Sequence, residues 1–245
     1  MNLAANYRNT TSMSRRKFFL TALLAVISVG PSFAQQPDRQ SAAYMWSPEM
    51  QKRLYALGLY LDKNALGKPE PCNGKVWLEP ISVGVIQPLV FPVDGTHPTK
   101  GIWTIRYRFD RCSESITYNA LFKANEQGPA TVFHLPPGTT KTSPKLQQDL
   151  NPSLFIAAGT RNGDNKECKL VAVTNTTVTA QPSPVKVGNE TFEGVWEENW
   201  TVRTCSGTFN MDFCFIPARS GGTTWTTTKC EPAQIATARS LNVRK

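Results

Sequence analysis

The stretch Gly101–Ser113 reads GIWTIRYRFDRCS, and Gly194–Ser206 reads GVWEENWTVRTCS. In the first, Trp103, Ile105, Tyr107 and Phe109 alternate with Thr104, Arg106, Arg108 and Asp110. Strand side chains point alternately to the two faces of a sheet, so this period of two marks a half-buried antiparallel strand. In the second, Trp196, Glu198, Trp200 and Val202 occupy the same face. Each stretch ends in a Cys-Ser pair, Cys112-Ser113 and Cys205-Ser206.

Downstream, Ile116, Tyr118, Ala120 and Phe122 alternate again, as do Phe209, Met211, Phe213 and Phe215. Gly128 and Gly221 mark the next turns. Thr131-Val132-Phe133 and Thr223-Thr224-Trp225 begin last strands. Upstream, Val76 to Val83 and Leu170 to Val178 read as first strands. Farther upstream stand Ser47-Pro48 and Ser143-Pro144, each a natural N-cap followed by proline at the first helical position. Met50, Leu54, Leu57 and Leu61 then recur at helical spacing. The second helix is expected to be shorter or broken, because Pro152 interrupts it.

The two series keep register. Ser47 to Cys72 aligns without gaps on Ser143 to Cys168, and Gly101 onward aligns on Gly194 onward, giving 13 identities in 58 positions. The identities concentrate in Cys, Trp, Gly and Pro, residues with specific structural tasks, so the reading is a duplication. The expected class is α+β: two tandem αββββ units, at 47–140 and 143–230, each a helix packed on a four-stranded antiparallel sheet. Residues 35–46 form a leader, Pro136 to Thr140 a linker, and 231–245 a polar, basic tail. In architecture alone, two such units resemble the cystatin-like folds and the tandem β-lactamase inhibitor proteins. No motif of either is present, so the resemblance carries no function or residue role.

Residues 1–34 have the three parts of a secretory signal: the charged Arg15-Arg16-Lys17, the apolar run Phe18 to Val29, and the small residues Ser32 and Ala34 before a cleavage point. The run around Arg15-Arg16 suits either a general secretory or a twin-arginine route. The expected location is periplasmic or secreted, with no membrane span in the mature chain. The net charge of +9 shrinks accordingly: without the signal, 23 Lys and Arg face 18 Asp and Glu, a net +5. The basic residues are scattered rather than striped, which excludes a nucleic-acid surface.

The six cysteines are expected in disulfides. Equivalent positions in the repeat pair Cys72 with Cys112 and Cys168 with Cys205. Cys214 and Cys230 remain for a third bridge, although hairpin counting leaves them about three residues out of register. The chain has no Cys-x-x-Cys and only two histidines, so no metal site or cofactor is expected.

No catalytic constellation appears. His97 lies in the turn-rich Asp94-Gly95-Thr96-His97-Pro98, and His134 ends a strand. Glu198 stands where the first unit has Ile105, on the face expected to be buried. Either an edge or bulge turns it outward, or it needs a partner inside. Trp103, Tyr107, Trp196 and Trp200 are read as core rather than as a sugar-stacking platform. Three functions fit: a non-catalytic envelope module that binds a protein or envelope ligand between the units, a hydrolase with a site near His97 or Glu198, and a structural envelope component.

Overall fold

Both serine caps form as expected. Ser47 Oγ accepts the Met50 N–H at 3.3 Å and Ser143 Oγ the Leu146 N–H at 3.2 Å, supplying donors at helix starts with side-chain acceptors. These contacts belong to a computed structural model that describes residues 38–68, 76–93, 95–111, 114–162 and 170–242.

In chain order the elements are α1 (Arg39–Met45), α2 (Pro48–Asn64), β1 (Val76–Val90), β2 (Lys100–Arg111), β3 (Glu114–Asn125) and β4 (Gly128–Leu135). They continue as α3 (Pro144–Asn162), β5 (Val171–Val187), β6 (Glu190–Thr204), β7 (Gly207–Pro217), β8 (Thr223–Thr226) and α4 (Pro232–Asn242). The fold is α+β. Two antiparallel sheets, ordered β1-β2-β3-β4 and β5-β6-β7-β8, lie in one compact unit.

The alternation predicted for the central strands sets their inward faces. Trp103, Ile105, Tyr107 and Phe109 of β2 are all fully buried, as are Tyr118, Ala120 and Phe122 of β3. Met50, Leu54 and Leu61 of α2 complete this first core. In the second sheet Trp200, Val202, Phe213 and Phe215 pack with Leu146, Leu150 and Leu154 of α3. Trp103 lies opposite Phe122 across the β2–β3 ladder and Trp196 opposite Phe215 across β6–β7. Both pairs stack, at 5.4 and 4.8 Å between ring centroids, an offset arrangement that adds to plain area burial.

Three expectations need correcting. First, α3 is neither short nor broken: it runs 19 residues with Pro152 inside it. Pro152 is exposed, while Leu146, Leu150 and Leu154 pack against the sheet. A lost helical hydrogen bond on the wet side is offset by that packing. Second, the leader contains α1. Its Tyr44 meets Trp103 edge-on at 5.9 Å, and Met45 is fully buried. Third, most of the tail is α4, whose Ile235 and Ala238 pack on Val195, Cys214 and Ile216 to form a third core. Both helices are short of large apolar residues at helical spacing: α1 buries Tyr44 and Met45 beside Ser41, and α4 buries Ile235 and Ala238.

The bridge Cys214–Cys230 forms, with its Cα atoms 4.9 Å apart. Hairpin counting misjudged it because β8 ends at Thr226, so Cys230 is not a ladder residue but reaches Cys214 from the approach to α4. Cys205 is disulfide-bonded as well. Cys72, Cys112 and Cys168, and with them the expected pairs Cys72–Cys112 and Cys168–Cys205, lie outside the described residues. No helix among the described residues is long and apolar enough to cross a membrane.

Beside the first core lies a buried charged cluster. Arg111 Nη1 donates to Asp62 Oδ2 at 2.6 Å and Tyr118 Oη to Asp62 Oδ1 at 2.5 Å. Burial, reinforced by Asp62, pushes both the Tyr118 and the Tyr107 hydroxyls above the ordinary tyrosine range.

Candidate functional site

Glu198 sits in the middle of β6, and the strand does not turn it outward: it is fully buried. The period-two geometry places Trp196 and Trp200 on either side of it on the same face. Their indoles donate to it, Trp196 Nε1 to Oε1 at 2.9 Å and Trp200 Nε1 to Oε2 at 2.8 Å. The segment joining the two sheets supplies two more donors. The Lys141 N–H reaches Oε1 at 2.7 Å and the Thr140 hydroxyl reaches Oε2 at 2.6 Å. Each carboxylate oxygen therefore accepts two hydrogen bonds, which fills its lone-pair directions. Such charge-assisted bonds are the stronger kind and satisfy a buried charge without a salt bridge.

The expected linker is thus a strap held from both sides. From the first sheet, the Asn119 amide donates to the Pro136 and Gly138 carbonyls at 2.7 and 3.1 Å, and Arg106 Nη2 donates to the Thr140 carbonyl at 2.7 Å. The Gly138 N–H donates to the Thr117 carbonyl at 2.8 Å. From the second sheet, the Thr176 carbonyl accepts the Thr139 N–H at 2.8 Å, and the Thr176 hydroxyl donates to the Pro137 carbonyl at 2.6 Å. Gly138 has φ of 102°, and an added Cβ would strike the Thr176 backbone, so glycine is needed here on both counts. Burial holds the Arg106 guanidinium below its usual range, and the nearby Glu198 charge opposes that shift.

Beside the strap runs a groove of about 390 Å³. The end of β4, the start of β5, the C-terminal end of α2 and one side of α3 line it. His134 faces it, with the Tyr60 ring 6.4 Å from its own. Gln147, 6% exposed, also lines it: its Nε2 donates to the Thr142 carbonyl at 2.9 Å, and its Oε1 has no hydrogen-bond partner among the described residues. No Asp, Glu, Lys or Arg is among the lining residues. Another hollow, about 540 Å³, lies between the β5–β6 hairpin, the β7–β8 turn and α4.

His97 lies elsewhere. Its Nε2 contacts Glu49 Oε2 at 3.0 Å, its Nδ1 contacts Thr96 Oγ1 at 2.9 Å, and its ring meets Tyr44 edge-on at 6.0 Å. Asp94 lies outside the described residues. His97 and Glu198 share no hydrogen-bond partner. No cluster of three or more His, Cys, Asp or Glu side chains suited to a metal ion occurs among the described residues. The four aromatics weighed as a sugar platform are buried, Trp196 at 8% and the other three at 0%.

The sequence reading singled out Glu198 and expected a ligand between the units, but it missed the strap and the residues that wall the groove. The Trp-x-Glu-x-Trp spacing held a usable signal, since it sets two indole donors beside a carboxylate on one face. The groove had none, because its walls come from elements far apart in the chain. In comparisons with known proteins, the chain matches no family model, no curated protein and no solved structure.

Proposed function

We propose that the protein is an exported, disulfide-stabilised, non-catalytic binding module of the bacterial cell envelope. In this reading it consists of two copies of one αββββ unit and takes a protein or envelope ligand in the groove between them. One observation carries the proposal: an uncharged groove of about 390 Å³ walled by both sheets, with exposed Phe133 and Phe155 at its margin and half-buried Leu135 within it. Concave sites of this size with a few fixed polar groups are the usual form of a ligand site.

Other features support parts of the reading. The equivalent Trp–Phe stacks favour duplication. The Cys214–Cys230 bridge suits an oxidising compartment outside the cytoplasm. Glu198 favours the non-catalytic reading, because a carboxylate with four donors has no free lone pair with which to take a proton from a substrate.

The test compares the wild type with Phe155→Asp, which places a charge at an exposed site on the groove and leaves the cores alone. Both proteins are incubated with envelope extract, and retained molecules are identified by mass spectrometry against a bait-free control. The wild type should retain a specific molecule that Phe155→Asp loses while keeping the same melting temperature. Equal retention by both proteins removes the groove from the account.

A further inference from the structure

We infer that the outer edge of β4 receives an extended segment of another polypeptide as an added strand, a conclusion that rests on the groove reading above and gives its ligand a chemical class. The argument starts from the four sheet edges: β1, β4, β5 and β8. An unpaired strand edge is a row of free N–H and C=O groups, and proteins ordinarily guard it with prolines, bulges, charges or a covering element. Three of these edges are guarded. β1 contains Pro80 and Pro88 and its register with β2 shifts three times. β5 contains Pro182 and Pro184 and shifts four times against β6. β8 is four residues long and α4 lies against it.

The edge of β4 differs. Its proline, Pro129, and its register shift lie at the start of the strand; from Thr131 to Leu135 it pairs with β3 without a shift and has no proline and no Asp, Glu, Lys or Arg. It also opens onto the groove. Val132, Phe133, His134 and Leu135 all line the groove, as do Val171, Ala172 and Val173 of β5. Consecutive strand residues point to opposite faces. Four in a row border one space when that space reaches the strand's edge as well as the face that Phe133 shares with Leu121. The groove therefore offers backbone donors and acceptors, and the group that matches such a row is another backbone.

The remaining walls narrow the class of segment. With no charged residue lining the groove, it suits an uncharged stretch. Leu61, Leu154 and Phe155 offer apolar contact to side chains on one face. The buried Gln147 Oε1 is an acceptor without a donor among the described residues. Strand addition of this kind takes its affinity from main-chain hydrogen bonds and its selectivity from pockets for alternate side chains. The expected partner is a segment of a second protein in which apolar and small polar residues alternate.

The test uses random peptides displayed on phage and panned against the purified protein, then the enriched peptide titrated into isotope-labelled protein. Enriched sequences should be uncharged and alternating. Amide exchange in residues 131–135 should slow by about tenfold or more on binding, and at least one of the two alternate patterns of backbone N-methylation in the peptide should weaken binding by about tenfold or more, or 1.4 kcal/mol. Peptides that protect those amides yet tolerate both methylation patterns would overturn strand addition and leave the groove as a site read through side chains. Failure to enrich any peptide, or protection confined to residues elsewhere, would overturn it too. So would a dimer of the chain that protects residues 131–135 without peptide, which would assign the edge to a second copy. Equal retention by wild type and Phe155→Asp in the extract experiment is the separate result that would remove the groove itself.

Discussion

At the scale of the residue, the two sheets bury charge by different means. The first pairs Asp62 with Arg111 and Tyr118, two of them on the strands that face it. In the aligned register the second sheet has Ala158, Thr204 and Met211 at those positions, and keeps its buried charge on Glu198 instead. The contrast extends to the neighbouring indoles. Trp196 donates to Glu198, whereas Trp103, two residues before Ile105 on the same face, has an Nε1 with no hydrogen-bond partner among the described residues. Removing the Glu198 carboxylate would strand four donors, three of them on buried residues, and an unsatisfied buried group costs about 1–3 kcal/mol. We predict that Glu198→Ala lowers the unfolding free energy by about 3 kcal/mol or more, measured by denaturant titration; a loss within about 0.5 kcal/mol, the usual range for surface substitutions, would show that the strap is not anchored there. The inward position of Glu198 was legible from alternation alone. Its partners on the strap were not, because Thr140 and Lys141 lie 57 or more residues away in the chain.

At the scale of the element, periodicity was the dependable guide where both faces of a strand or helix differ sharply in polarity. β2, β3, β6 and β7 are such strands and lie where the alternation put them. The first strands were read too short, since β1 runs to Val90 and β5 to Val187. Prolines and register shifts blur their period, because each shift moves later side chains to the opposite face. Helix α3 shows the reverse error, a local signal overruled by packing. Pro152 removes one helical hydrogen bond, and its ring crowds the preceding turn. We predict that Pro152→Ala raises the unfolding free energy by about 1–3 kcal/mol, because alanine restores the bond at an exposed position without disturbing the buried face. A destabilised variant would mean that the proline shapes a bend on which the contact between α3 and the sheet depends.

At the scale of the whole molecule, three cores are joined by covalent and polar connections. The third, under α4, contains few residues, and Cys214–Cys230 ties its entry to β7. The bridge spans a sequence separation of 16, for which the chain-entropy estimate is about 3 kcal/mol. We predict that Cys214→Ala with Cys230→Ala costs about 2–4 kcal/mol and that amide exchange accelerates first in Pro232–Asn242, with the first core unaffected. Acceleration spread evenly over the chain would instead make α4 integral to global folding. The sequence marked this bridge by elimination but concealed the helix behind it, because Ile235 and Ala238 are too few to produce a visible period.

The strap has a consequence for any attempt to divide the protein. Ordinary linkers can be cut, lengthened or replaced with glycine and serine, since they contribute only reach. Here the residues between the sheets are building material for both: Thr140 and Lys141 finish the interior of the C-terminal half, while Gly138 and Pro136 cap hydrogen-bonding groups of the N-terminal half. Neither half is complete without the seam, so a cut anywhere in it would leave both halves with orphaned polar groups.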